Sequence, residues 1–166
     1  MGACFGNALQ LLQTGQWEAW KGLPAGISLS ALEEAFGGST VLDSIAFLGT
    51  ARTRCSRSSF INVPAIVWHM ADTPLLIELD LLSMPQSSPR LDGPDVYRLD
   101  ARLGEASIAG GEAVMSARGL ALIVTSNQTV VACRVFAPMS VDRYVKTVRP
   151  TVAPPRPLPE VPGGSP

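Results

Sequence analysis

The chemistry open to this chain is bounded first by how few suitable residues it carries. His69 is the only histidine, so a serine or cysteine nucleophile that needs an imidazole base must use it. No Gly-x-Ser-x-Gly elbow accompanies it. In Trp68-His69-Met70 it sits mid-strand, and alternation points it to the side opposite Ile66, Trp68 and Met70. A metal centre has less to work with. One histidine and three scattered cysteines, Cys4, Cys55 and Cys133, supply no ligand spacing, and the carboxylates form no close Asp-x-Asp or Glu-x-x-His set. Gly37-Gly38-Ser39-Thr40 lacks the lysine and the spacing of a phosphate loop, and no dinucleotide fingerprint follows a strand. The expectation is a chain with no catalytic residue, no metal and no cofactor.

What the sequence does offer is a surface for binding. Arg52, Arg54 and Arg57 cluster where few other charges lie nearby. Two of them, Arg52 and Arg54, alternate onto one side of a strand, where guanidinium forks can take a carboxylate bidentately. Glu78, Asp80 and Arg134 are polar residues set between apolar ones. Lining a concave face with Trp68 or His69, they would hold a peptide through sheet-edge hydrogen bonds and side-chain pockets. A plainer reading makes Glu78 and Asp80 the solvated face of a strand and the arginines a charged guard on a sheet edge. A second functional reading is a small enzyme or small-molecule carrier with a pocket in the sheet, acting through His69 and a carboxylate.

Composition narrows the partner. The formal net charge is −1, with 16% charged and 46% hydrophobic residues, which describes a globular chain with no electrostatic pull toward nucleic acid or an anionic membrane. Lysine occurs only at Lys21 and Lys146 while arginine, alanine, glycine and proline abound, a bias of GC-rich coding that suggests a bacterial source. Three distant cysteines imply no disulfide framework, and a reducing cytoplasm is the simplest compartment. No apolar run is long enough to span a bilayer.

These groups need elements to hold them. The pattern organises around Pro64–Leu82, where two apolar runs, Ala65–Met70 and Leu75–Leu82, flank a break at Ala71-Asp72-Thr73-Pro74 and read as a hairpin. A second hairpin follows at Leu120–Thr125 and Thr129–Phe136. Before the first, Asn7 caps a helix over residues 7–20, and Leu29, Leu32 and Phe36 form a short amphipathic helix stopped by Gly37. Strands are expected over Thr40–Arg54, with Ala51–Asn62 an exposed edge strand running into a loop. After the Pro- and Ser-rich linker Ser83–Gly93, Pro94 opens a second helix with Val96, Leu99 and Leu103 on one face and Gly104 as its stop. Gly110-Gly111 is a turn into a strand near Ala113–Ala117. Ser140 caps a last helix over residues 141–148, and residues 149–166 form a Pro-rich tail outside the globular domain of residues 1–148.

The two short helices align at a constant offset, Leu29, Leu32, Phe36 and Gly37 against Val96, Leu99, Leu103 and Gly104. Each leads into strands, so residues 27–82 and 94–138 read as duplicated helix–β-β-β halves. The expected fold is α+β, a mostly antiparallel curved sheet or small barrel with short helices. The segments SALEEAFG and YRLDARLG, with the order of elements around them, resemble the tandem modules of β-lactamase inhibitor proteins. That resemblance implies a sheet that grips a partner without doing chemistry. The expected partner is a peptide or protein segment, and an exposed sheet edge makes a homodimer reasonable.

Overall fold

The structure is a computed structural model, and it describes residues 22–35, 44–49, 51–60, 63–81, 97–102, 109–125 and 129–151. The described residues are mostly strand with few short helices. In order, it runs through helix α1 (Leu29–Ala35) and strands β1 (Ser44–Leu48), β2 (Ala51–Phe60), β3 (Val63–Met70) and β4 (Thr73–Asp80). Then come β5 (Tyr97–Arg102), β6 (Ala109–Met115), a 3-10 turn at Ser116–Arg118, β7 (Leu120–Thr125), β8 (Val130–Phe136), helix α2 (Val141–Thr147) and the two-residue strand β9 (Pro150–Thr151). The helix expected over residues 7–20, the linker of residues 83–93 and the tail beyond residue 151 lie outside the described residues.

All the described strands join one antiparallel sheet in the order β5-β6-β7-β8-β4-β3-β2-β1-β9. Two meanders, β1 to β4 and β5 to β8, meet along β4 and β8, where Glu78 stands opposite Arg134. The sheet is open, and among the described residues no ladder joins β5 to β9 to close it into a barrel.

Both faces of the sheet are apolar, which is why β7 reads as an unbroken hydrophobic run rather than an alternating one. On one face Val63, Ala65, Val67, Ile77, Leu79, Leu122, Cys133 and Val135 pack beneath Leu23 and Leu32, with Ile27 and Leu29 against them. The cover here is α1 and the segment before it. Ser28 Oγ accepts from Ala31 N at the start of α1, and Leu29 N donates to the Asp72 carbonyl at 2.9 Å, tying the helix to the β3–β4 turn. On the other face Leu48, Trp68, Leu76, Val114, Ala121 and Phe136 pack beneath Tyr144 and Val148 of the α2 segment. The ring of Tyr144 stacks on Phe136 at 4.5 Å. Ser140 caps α2 as expected, its hydroxyl accepting from Arg143 N.

Two glycines are demanded by close approach. Gly119, at φ 69°, follows the 3-10 turn, and a Cβ there would collide with the Phe136 carbonyl oxygen. Gly49, at φ 55°, lets the β1–β2 turn press against the end of α2, where a Cβ would meet the Lys146 carbonyl.

Four expectations are corrected. Tyr97–Arg102 is a strand, not the helix expected from residue 94 onward, so the helix-to-helix alignment behind the duplication does not hold at that point. Tyr97, Leu99 and Ala101 interleave with Arg98, Asp100 and Arg102, a period of two that so short a segment leaves open beside the helical spacing, and the pairing with β6 settles it. Gly110 and Gly111 lie within β6, paired to Thr125 and Val124 of β7, instead of forming a turn. Strand β2 is interior, held between β1 and β3, not an edge. Pro150 and Thr151 belong to the sheet, paired with Leu48 and Phe47, so the C-terminal tail is not detached from residue 149 onward.

Candidate functional site

Two groups of polar side chains are built into the sheet, one on each face. Beneath α2, Glu112 of β6 is fully buried. A carboxylate removed from water needs partners of opposite charge, and Glu112 has them. Arg134 Nη1 donates to its Oε1 at 2.8 Å, and the Tyr144 hydroxyl donates to the same oxygen. Arg149 Nε lies 2.8 Å from Oε2, and among the described residues Oε2 makes no hydrogen bond, so that contact is an ion pair without hydrogen-bond alignment. Arg134 Nε in turn donates to Glu78 Oε2 at 2.6 Å across the β4–β8 seam. Glu78 and Glu112 balance Arg134 and Arg149, and the cluster fastens α2 and the approach to β9 onto the sheet.

The electrostatics follow from that burial. Burial alone would lower the pKa of Arg134, but Glu78, Tyr144 and Glu112 outweigh it and raise it, so the guanidinium stays charged. Burial pushes the Tyr144 hydroxyl up; Arg134 pulls the other way and the Glu112 charge reinforces the rise. The Cys133 thiol is pushed up to about 12, first by burial and then by Glu78, which makes it an inert core residue.

On the opposite face, His69 pairs across to β2. Its Nε2 is 2.9 Å from Ser56 Oγ and its Nδ1 is 3.0 Å from the Ala71 carbonyl oxygen. Both residues are buried, Ser56 at 5% and His69 at 6% exposure. Ala71 itself holds a left-handed φ of 50° in the tight β3–β4 turn, a conformation that costs a non-glycine residue about 1 kcal/mol.

The residues singled out in the sequence are therefore divided. Trp68, Glu78 and Arg134 share the α2 face, where Glu78 and Arg134 form an ion pair and Trp68 is core. Glu78 is thus half-buried and paired, not solvated, while Asp80 at the end of β4 is exposed. His69 faces the other way. Arg52, Arg54 and Arg57 are all exposed, but they do not form one cluster. Arg54 stands opposite His69, with Arg52 two residues along on the same side, and Arg57 stands opposite Ile66 on the α2 side. Ser56, Glu112, Tyr144 and Arg149 were not singled out. The signal for Glu112 was available: it is the lone charge in Ala109–Met115, as Arg134 is in Val130–Phe136, and isolated opposite charges in two apolar strands are candidates for a buried pair.

Among the described residues no group of histidine, cysteine and carboxylate side chains could hold a metal ion, and no helix is long and apolar enough to cross a membrane. Comparison with protein-family models, characterised proteins and solved structures found no match.

Proposed function

We propose that the chain is a non-enzymatic module that binds a peptide or protein segment. The observation that carries this reading is the exposure of Arg52 and Arg54 on one side of β2. A strand flanked by β1 and β3 is a rigid mount, and its side chains on one face recur about every 7 Å. That spacing matches alternate side chains of an extended segment laid alongside, so two guanidinium groups can meet two of its carboxylates. Trp68, Glu78, Arg134 and Arg57 lie on the opposite, α2 face and are not part of this surface. In a GC-rich bacterium the role is that of a helper presenting a precursor peptide to modifying enzymes in peptide natural-product biosynthesis. An inhibitor or immunity protein would use the same surface on a folded partner.

Calorimetric titration against the short peptides encoded beside the gene tests this directly. The expected result is micromolar or tighter binding of one acidic peptide, weakened about tenfold when Arg52 and Arg54 are both replaced by alanine. Flat titrations with every such peptide would remove the presenter role.

A further inference from the structure

The Ser56–His69 pair has the arrangement of a nucleophile and its base. A carbonyl oxygen only accepts hydrogen bonds, so the Ala71 carbonyl places the imidazole proton on Nδ1. In the neutral ring Nε2 then carries a bare lone pair, and the Ser56 hydroxyl, 2.9 Å away, donates to it. Nucleophile, base and orienting acceptor stand in line, the order on which hydroxyl activation depends. The orienting acceptor is fixed in turn, because the Ala71 backbone is held in the left-handed turn and the next carbonyl, of Asp72, is tied to α1. Beside the pair, Arg54 and Arg52 occupy the preceding same-side positions of β2 and are exposed. They supply positive charge within reach of a group attached at Ser56.

We propose that Ser56, activated by His69, is a covalent capture site for acyl groups that carry a carboxylate. Ser56 Oγ attacks the carbonyl carbon of an activated ester and its proton passes to His69 Nε2. The new Oγ–C bond forms as the ester C–O bond breaks, and the electron pair leaves with the departing alkoxide or phenolate. The free carboxylate of the acyl chain lies toward Arg54 and Arg52. This inference does not depend on peptide binding, since a chain that binds no peptide can still acylate Ser56.

The test incubates the full chain with p-nitrophenyl hydrogen succinate or p-nitrophenyl butyrate and follows intact mass and peptide mapping. The expected outcome is one succinyl adduct, mapped to Ser56, forming at least fivefold faster than the butyryl adduct. Ser56→Ala should abolish it, and His69→Gln should slow it at least a hundredfold, with circular dichroism and melting curves confirming that both variants fold. Replacing Arg52 and Arg54 with alanine should equalise the two esters without abolishing reaction. Should His69→Gln fail to fold, the wild-type adduct and its position still decide the matter. No adduct, an adduct at another residue, or one indifferent to His69 in a folded variant would overturn the proposal. Equal rates for the two esters on the unaltered chain would overturn its anionic preference.

Discussion

At Glu112 the side chain has no exposure and is shared between Arg134, Tyr144 and Arg149. The ion pairs alone overstate its worth, because withdrawing each charged group from water costs several kcal/mol. What the geometry does decide is the cost of removing one member. Glu112→Gln keeps the shape but leaves two arginines facing a neutral amide, one of them at 13% side-chain exposure. We expect a loss of roughly 3 kcal/mol in urea unfolding, at the level seen when one partner of a buried pair is deleted. A loss near zero would mean that water reaches Arg134 and Arg149 and that the cluster is solvated. The same logic separates His69 from this group: its contacts are to a hydroxyl and a carbonyl. The carboxylate partner imagined for it from the sequence is replaced by Ser56.

The elements differ in how far their residues announced them. Both central hairpins were legible because their apolar runs are long and bounded by turn residues, and α2 because Ser140 precedes an apolar stripe at helical spacing. Strand β5 was not, since six residues allow both a period of two and a period near four, and the pairing with β6 decides between them. Strand β2 was misplaced to an edge because its arginines and serines look solvated. In the sheet Thr53 and Ser56 are buried while Arg52, Arg54 and Arg57 remain exposed. The candidate site was legible only in part: Glu78, Arg134 and His69 drew notice as polar residues among apolar ones, but their partners lie far along the chain. Cross-strand register, not local pattern, joins Glu112 to Arg134 and Ser56 to His69. At the scale of α2, Ser140→Ala removes the one side-chain cap and should cost about 1 kcal/mol in thermal or urea unfolding. Because α2 carries Tyr144, the variant should also expose the Glu112 cluster more readily, raising the exchange rate of the Tyr144 and Val148 amides, which donate to the Ser140 and Tyr144 carbonyls in successive turns of α2. A stable helix with unchanged exchange would show that packing on Phe136, rather than the cap, holds α2 in place.

For the whole molecule, the sheet order makes one seam responsible for unity. The two meanders are built from neighbouring strands in sequence, whereas β4 and β8, the last strand of each, come together from far apart along the chain. Their five paired positions run from Leu76 with Phe136 to Asp80 with Ala132. The seam lies at the centre of the sheet, beneath apolar cover on both faces, since Ile77, Leu79, Cys133 and Val135 belong to one core and Leu76 and Phe136 to the other. Its backbone hydrogen bonds can open only if both layers come away, so their exchange should report global unfolding. At the far side β9 contributes two residues to the edge of β1, and opening there reaches the α2-side core at Leu48 while leaving the seam itself covered. We therefore expect native-state hydrogen exchange to be slowest for amides of β4 and β8, with protection matching the unfolding free energy from urea. Amides of β1 and β9 should exchange at least a hundredfold faster. A gradient of this kind would leave the arginines of β2 between a fixed centre and a yielding margin, where an incoming segment can be accommodated without breaking the seam. If instead one meander exchanged as a block well before the other, the two would be separate folding units, and β4–β8 a docking contact between them.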